Sequence, residues 1–405
     1  MQSVQNQSEV SRTRSFAVSA VAWAIILVSA AVIVPSALAQ TFTVLYTFTD
    51  TTQGWQPDSA PILDAAGNLY GTTQYGGTAG GFGTVFKLDT MDNEEVLYSF
   101  AGEPDGEDPV TALVADRSGN LYGCTLYGGT AGGYGTVFKL SRAGKLTLLH
   151  SFASNPDGAD PYGTLIGDPH GNGYGTTRYG GAAGGYGTVF QLNAKGEETV
   201  RYSFAGTPDG EDPQASLVRD AVGNLYGTTI YGGTAGGFGT VFKLDKTGKL
   251  TLLHSFAGTP DGENPYAGLV GDSAGNGYGT TKYGGTAGGF GTVFKLDRTG
   301  KFALLHSFAG TADGENPISG LVLDPAGNIY GTTFYGGTLG YGSVFEIDTA
   351  GKFTVLHSFN NSPDGANPMG GLTRDAAGNL YGTTSDGGDL SCGFSGCGTV
   401  FKVTP

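Results

Sequence analysis

Several things are missing from this sequence, and each absence removes a class of function. No segment keeps a helical period over three turns, so helical bundles and helix-bearing α/β folds are excluded. There is no basic run: 21 Lys and Arg stand against 36 Asp and Glu, for a formal charge of −15. Such a surface repels polyanions, which makes nucleic acid and acidic membranes poor partners. The sequence has no Gly-x-Ser-x-Gly elbow and no His-Glu-x-x-His helix. It also lacks the Asp-x-Asp-x-Asp-Gly spacing that surrounds Ca²⁺. Its Gly-Gly-Thr-Ala-Gly-Gly runs are followed by a strand, whereas a phosphate cradle opens a helix.

Cysteine is scarce, at three residues. Cys392 and Cys397 share one Gly-rich loop, and in an exported chain they are expected to form a disulfide. Cys124 replaces a Thr found in the other copies of a repeat and is expected to be a free, partly buried thiol. Long apolar runs are also few. The one from Phe16 to Val34 follows Arg12 and Arg14 and leads through Pro35 and Ser36 to Ala37-Leu38-Ala39. Residues 1–39 therefore read as an export signal cleaved before Gln40, or as an N-terminal anchor if left uncut. No second span follows.

Glycine, at 73 of 405 residues, is abundant, and it recurs at fixed places between Val-, Phe-, Leu- and Tyr-rich runs. Gly-Asn-x-Tyr-Gly-Thr-Thr places its Asn at 68, 120, 172, 224, 276, 328 and 379, a spacing of 52 five times and then 51. Gly-Thr-Val-Phe and Leu-Leu-His-Ser-Phe, with their variants, also occur seven times each. In the copy starting near Lys249, strands are expected at Leu250–Phe256, Tyr266–Gly271, Tyr278–Lys282 and Thr292–Leu296. Asp-x-x-Gly-Asn and Asp-x-x-Gly-Lys supply the hairpin turns between them. Four short strands in about 50 residues make a propeller blade. A closed ring removes exposed sheet edges, so residues 40–405 are expected to form an all-β, seven-bladed β-propeller of four-stranded antiparallel blades. The clasp is expected to join Thr43–Phe48 to the three strands between Gly370 and Val403.

Gly-Asn-Leu-Tyr-Gly-Thr-Thr, Tyr-Gly-Gly, Gly-Thr-Val-Phe-Lys-Leu and Leu-Leu-His-Ser-Phe together closely resemble the bacterial GloVer tandem repeat of "choice-of-anchor" proteins, over residues 41–405. Leu-Val-x-Asp-x-x-Gly-Asn-x-Tyr also looks like the strand pair of NHL-type propellers. The resemblance implies an exported bacterial protein and carries no settled activity. After Phe401-Lys402-Val403 the sequence stops at Pro405 without a hydrophobic tail or sorting motif, which puts a C-terminal anchor in doubt.

In a propeller, the loop entering the innermost strand and the loop between the second and third strands lie on one face. Here these are the Pro-Asp-Gly and Tyr-Gly-Gly loops, the two longest connections, and ligand binding is expected there. The candidate residues are Tyr75, Tyr127, Tyr179, Tyr231, Tyr283 and Tyr335, with Asp105, Asp209, Asp261 and Asp313 beside them. Each Tyr could stack on a sugar or cationic peptide, or pack over its Gly-Gly turn. Each Asp could meet a ligand or Ca²⁺, or build its turn. Asp386 interrupts the Tyr row, and the longer seventh-copy loop, Asp386–Gly398, could mark a binding site or brace the seam. His150, His254, His306 and His357 occupy one equivalent outer position, where they cannot converge on one ion and are expected to be structural.

With no asymmetric catalytic cluster visible, the expected function is binding or adhesion by a monomer, towards a carbohydrate or a protein and without a cofactor. A glycan or peptide hydrolase or lyase, and a structural envelope protein, remain the alternatives.

Overall fold

A computed structural model describes residues 40–49, 51–392 and 395–405, so the expected export segment lies outside the described residues. Seven four-stranded antiparallel sheets follow one another, as the repeat requires. In the first complete blade the strands run Ile62–Leu63, Leu69–Thr73, Thr84–Leu88 and Glu94–Ser99, from innermost to outermost. The last blade takes Thr41–Thr47 as its outer strand, beside Thr399–Thr404, Leu380–Thr384 and Thr373–Arg374. Its register runs from Thr41 opposite Thr404 to Thr47 opposite Thr399. The two ends of the described chain thus complete one sheet, in the clasp expected from where the repeats begin and stop.

Each repeat motif has a structural cause. In Asp-x-x-Gly-Asn-x-Tyr, Asp64 Oδ1 accepts the backbone N–H groups of Ala66 and Asn68, at 2.9 Å each. Its Oδ2 accepts Asn68 Nδ2 at 2.8 Å and the Tyr70 hydroxyl at 3.1 Å. One carboxylate therefore holds both the turn and the strand that leaves it. In Gly-Thr-Thr, the first hydroxyl reaches the next blade: Thr228 Oγ1 donates to Ala267 O at 2.9 Å, and Thr383 to Ser59 O at 2.9 Å across the seam. The second shares a buried hydrogen bond with the third strand, as in Thr229 with Thr240 at 2.8 Å.

Val-Phe of the third strand and the Phe ending the outer strand are fully buried in every blade. The outer Phe meets the third-strand Phe of the following blade edge to face, as in Phe152–Phe190 at 5.2 Å between ring centroids. Gly227 makes room for this, because a Cβ there would lie 2.6 Å from the Phe242 ring.

The innermost strand departs from expectation. Only Val270–Gly271 pairs, where a run from Tyr266 was expected. The same two-residue pairing recurs in all seven blades, as at Ile62–Leu63 and Val322–Leu323, so the shortening belongs to the blade and not to one residue. Those unpaired residues line the central channel.

Phe190→Ala should lower the unfolding free energy by about 3–5 kcal/mol, because it empties a fully buried site shared by two blades. Denaturant titration checks this, and a loss below about 1 kcal/mol would contradict the packing described.

Candidate functional site

The Pro-Asp-Gly and Tyr-Gly-Gly loops meet on one face of every blade. Glu107 pairs with Tyr127 through reciprocal backbone hydrogen bonds of 3.0 and 3.2 Å, and Glu211, Glu263 and Glu315 pair in the same way with Tyr231, Tyr283 and Tyr335. This ladder presents the tyrosines to solvent: Tyr127, Tyr179, Tyr231, Tyr283 and Tyr335 are 38–45% exposed. Tyr75 is half-buried and packs on Trp55 at 4.8 Å between centroids. The Arg178 guanidinium lies 4.8 Å from the Tyr179 ring, and the Lys282 ammonium lies 5.1 Å from the Tyr283 ring.

The four aspartates expected beside them have another task. Asp105 accepts the Tyr98 hydroxyl and the Ala101 backbone N–H. Asp209 accepts the Tyr202 hydroxyl at 2.5 Å and Ala205 N–H at 3.2 Å. Asp261 bonds His254 Nε2 at 2.8 Å and Ala257 N–H at 3.0 Å; Asp313 bonds His306 Nε2 at 3.1 Å and Ala309 N–H at 3.2 Å. Both oxygens of each carboxylate are engaged in tying the loop to the outer strand. The same bonds explain the histidines. His254 and His306 also stack on Phe302 and Phe353 of the next blade at 4.4 and 4.0 Å. Burial lowers the His306 pKa despite its Asp313 partner, so it is held neutral. Tyr98 and Tyr202 do the same work with a phenol.

A different set of carboxylates faces the centre. Asp108, Asp160 and Asp212 immediately precede the loop prolines and adopt φ of 54–57°, a left-handed conformation that Asp and Asn tolerate. Burial raises the pKa of all three. Arg178 Nε donates to Asp212 at 3.4 Å, and Gln74 Nε2 to Asp108 at 3.3 Å. Among the described residues, no group of three His, Cys, Asp or Glu is placed to hold a metal ion.

Just inside this rim the channel opens into a cavity of about 250 Å³ lined by all seven blades. The residue after each loop proline points there, and it is Asp58, Val110, Tyr162, Gln214, Tyr266, Ile318 or Met369 in turn. Copies that are otherwise nearly identical place six different residue types here, with Tyr alone occurring twice. This cluster was missed in the sequence because it supplies one residue per repeat, beside a conspicuous Pro-Asp-Gly motif. Aligning the seven copies at the proline exposes it.

Asp58 is the unusual member. It is half-buried, yet its Oδ1 is sealed from solvent without a hydrogen-bond partner. Burial is the main cause that pushes its pKa up to about 7; Asp386 and Asp108 add to the rise, and the nearby Ser385 hydroxyl opposes it.

Cys392 and Cys397 are disulfide-bonded, and Cys124 is buried and free, its thiol pKa pushed up by burial. The seventh-copy loop lies over the seam: Ser391 Oγ donates to Thr49 O at 3.0 Å, and Gln56 N–H to Cys397 O at 3.1 Å.

The model of the Gloeobacter/Verrucomicrobia repeat matches residues 32–238 and 235–405. The chain belongs to that repeat family. No protein of curated function matches it. Among solved structures, this repeat protein is similar to the extracellular domain of a protein described as a hybrid two-component system from B. thetaiotaomicron, at 13% identity and TM-score 0.58, covering 89% of this chain and 39% of that one. PorZ, described as a surface component of the type-IX secretion system of Porphyromonas gingivalis, aligns at 14% identity and TM-score 0.53, over 85% of this chain and 46% of that one. A protein described as a 6-phosphogluconolactonase from Bacteroides uniformis aligns at 17% and 0.50, over 79% and 89%. The repeat protein spans less than half the length of the first two, and these identities establish the shared propeller fold alone.

His254→Tyr should leave stability within about 0.5 kcal/mol of the parent, whereas His254→Ala should cost about 1–3 kcal/mol by stranding Asp261. Thermal or denaturant unfolding checks both; equal losses would mean that the ring–carboxylate bond is not what the position provides.

Proposed function

We propose that this chain is an exported recognition module that binds carbohydrate on its two-loop face. The observation that carries the reading is the circle of tyrosines, with Tyr127, Tyr179, Tyr231, Tyr283 and Tyr335 each about two-fifths exposed on one face. A phenol ring offers an apolar plane for the C–H face of a sugar and a hydroxyl for its oxygens. Glu107, Glu211, Glu263 and Glu315, paired to this row through the backbone, bring acceptors for sugar hydroxyls. Repetition around a ring lets weak, equivalent contacts act together on a repeating polymer. Export is supported by the Ala-x-Ala signal and the disulfide, and a net charge of −15 favours neutral or cationic glycans over acidic ones.

A glycan array probed with residues 40–405 tests the reading. A positive polysaccharide should lose about tenfold in apparent affinity for the Tyr179→Ala/Tyr231→Ala double variant, since each ring contributes about 0.5–1.5 kcal/mol. Silence on the array, or a double variant that binds as the parent does, refutes it. The copy-specific channel mouth favours one second reading, in which the bound glycan is also cleaved. Release of new reducing ends from an array-positive glycan supports that reading, and its absence leaves binding alone.

A further inference from the structure

We infer that the channel mouth is a single-copy site for the primary ammonium group of an amino sugar, with Asp58 as its ion-pair partner. The inference rests on the carbohydrate reading for the sugar ring; the ammonium follows from the mouth itself.

The seven blades repeat their backbone, their core and their outer ties, yet the residue after each loop proline takes six identities in seven copies. The cavity, about 250 Å³ and lined by each of the seven blades, has room for a group the size of one sugar ring. Any ligand here is therefore small, and bound once per molecule rather than seven times.

Charge selects its chemistry. The ionised groups that act most on Asp58 are Asp386, in the loop of the last blade, and Asp108, in the loop into the second. The phenols of Tyr75 and Tyr162 also feel the Asp58 charge. No cation is among these principal influences. Two cations lie near the mouth, Arg178 donating to Asp212 and Lys282 sitting 4.6 Å over the Tyr266 ring, and neither is among the principal influences on Asp58. An anionic ligand would meet net negative charge. A neutral hydroxyl would give Asp58 a hydrogen bond and leave the crowded carboxylates uncompensated. An ammonium supplies both the missing donor and the missing charge. Tyr162, lining the same cavity, offers its ring to the sugar's C–H face.

Proton linkage follows. Free Asp58 titrates near 7, so below that pH it is largely protonated and cannot form the ion pair without losing its proton. Ammonium affinity must therefore rise with pH towards 7, by at most about tenfold per unit, and fall again where the sugar's own amine loses its proton.

Titration calorimetry of residues 40–405 with glucosamine and with glucose, at pH 5, 6 and 7, tests the site. The expected result is one glucosamine per chain, affinity climbing across that range, and glucose at least about tenfold weaker. Asp58→Asn should lower glucosamine affinity at least about tenfold at pH 7 and remove the pH dependence. Equal binding of the two sugars, a flat pH profile in the parent protein, or no glucosamine binding overturns the proposal, and these need no variant to fold. Full affinity in Asp58→Asn overturns it as well. Glycan binding that depends on Tyr179 and Tyr231 while glucosamine fails to bind leaves the surface reading standing; glucosamine binding with a silent array leaves only the mouth.

Discussion

Seven edge-to-face phenylalanine pairs, one across each blade boundary, set the geometry on which everything else depends. Ring centroids are 5.2–5.4 Å apart at every boundary, including Phe359–Phe401 and Phe48–Phe86, which flank the closing blade. All of these rings are fully buried. Burial of such large apolar surfaces is the main favourable term available to a chain with only 14% charged residues and, among the described residues, no α-helix to cover its sheets. The spacing tolerates little change because the second strand gives up a side chain to it: a Cβ at Gly71, Gly175 or Gly382 would lie 2.4–2.6 Å from the Phe ring opposite.

Closure uses the same contacts as every other blade boundary. Phe42 of the N-terminal strand stacks on His357 of the preceding blade at 3.6 Å, repeating the contact that Phe302 and Phe353 make with their histidines. The terminal strand thus enters an ordinary blade position, and the seventh-copy loop adds its disulfide to that joint, with Cys397 buried beside Phe48 and Val400. Function follows from the same economy. The outer tiers repeat because neighbouring blades must fit one another, while the innermost residue after each proline faces only the channel and is released from that demand.

Much of this was legible in the residues. Seven near-regular occurrences of the Asn from Asn68 to Asn379 set the blade number, and repeats that open on an outer strand and close on a third strand set the clasp. Fixed glycines gave the turns. The Tyr row and its face followed from loop length, and the histidines' structural role from their equivalence with Tyr98 and Tyr202. The innermost strand was overestimated because Tyr266 and Leu269 are strand formers; in all seven blades only two residues pair there, which local propensity does not encode. For the aspartates next to the Tyr row the sequence left ligand contact and turn building both open, because their side-chain partners, His254 or Tyr98, lie on another strand seven residues away. Asp58 escaped notice because a lone carboxylate is informative only once its surroundings are known.

The account stands or falls on the ring being closed by the terminal strand. Native-state hydrogen exchange of the Thr399–Thr404 amides measures this directly, since that strand is interior only if Thr41–Thr47 lies against it. Protection equal to that of Thr240–Leu244, the matching strand of an uninterrupted blade, is the predicted result. Rapid exchange there, with protection kept at Thr240–Leu244, would show an open edge and contradict the account.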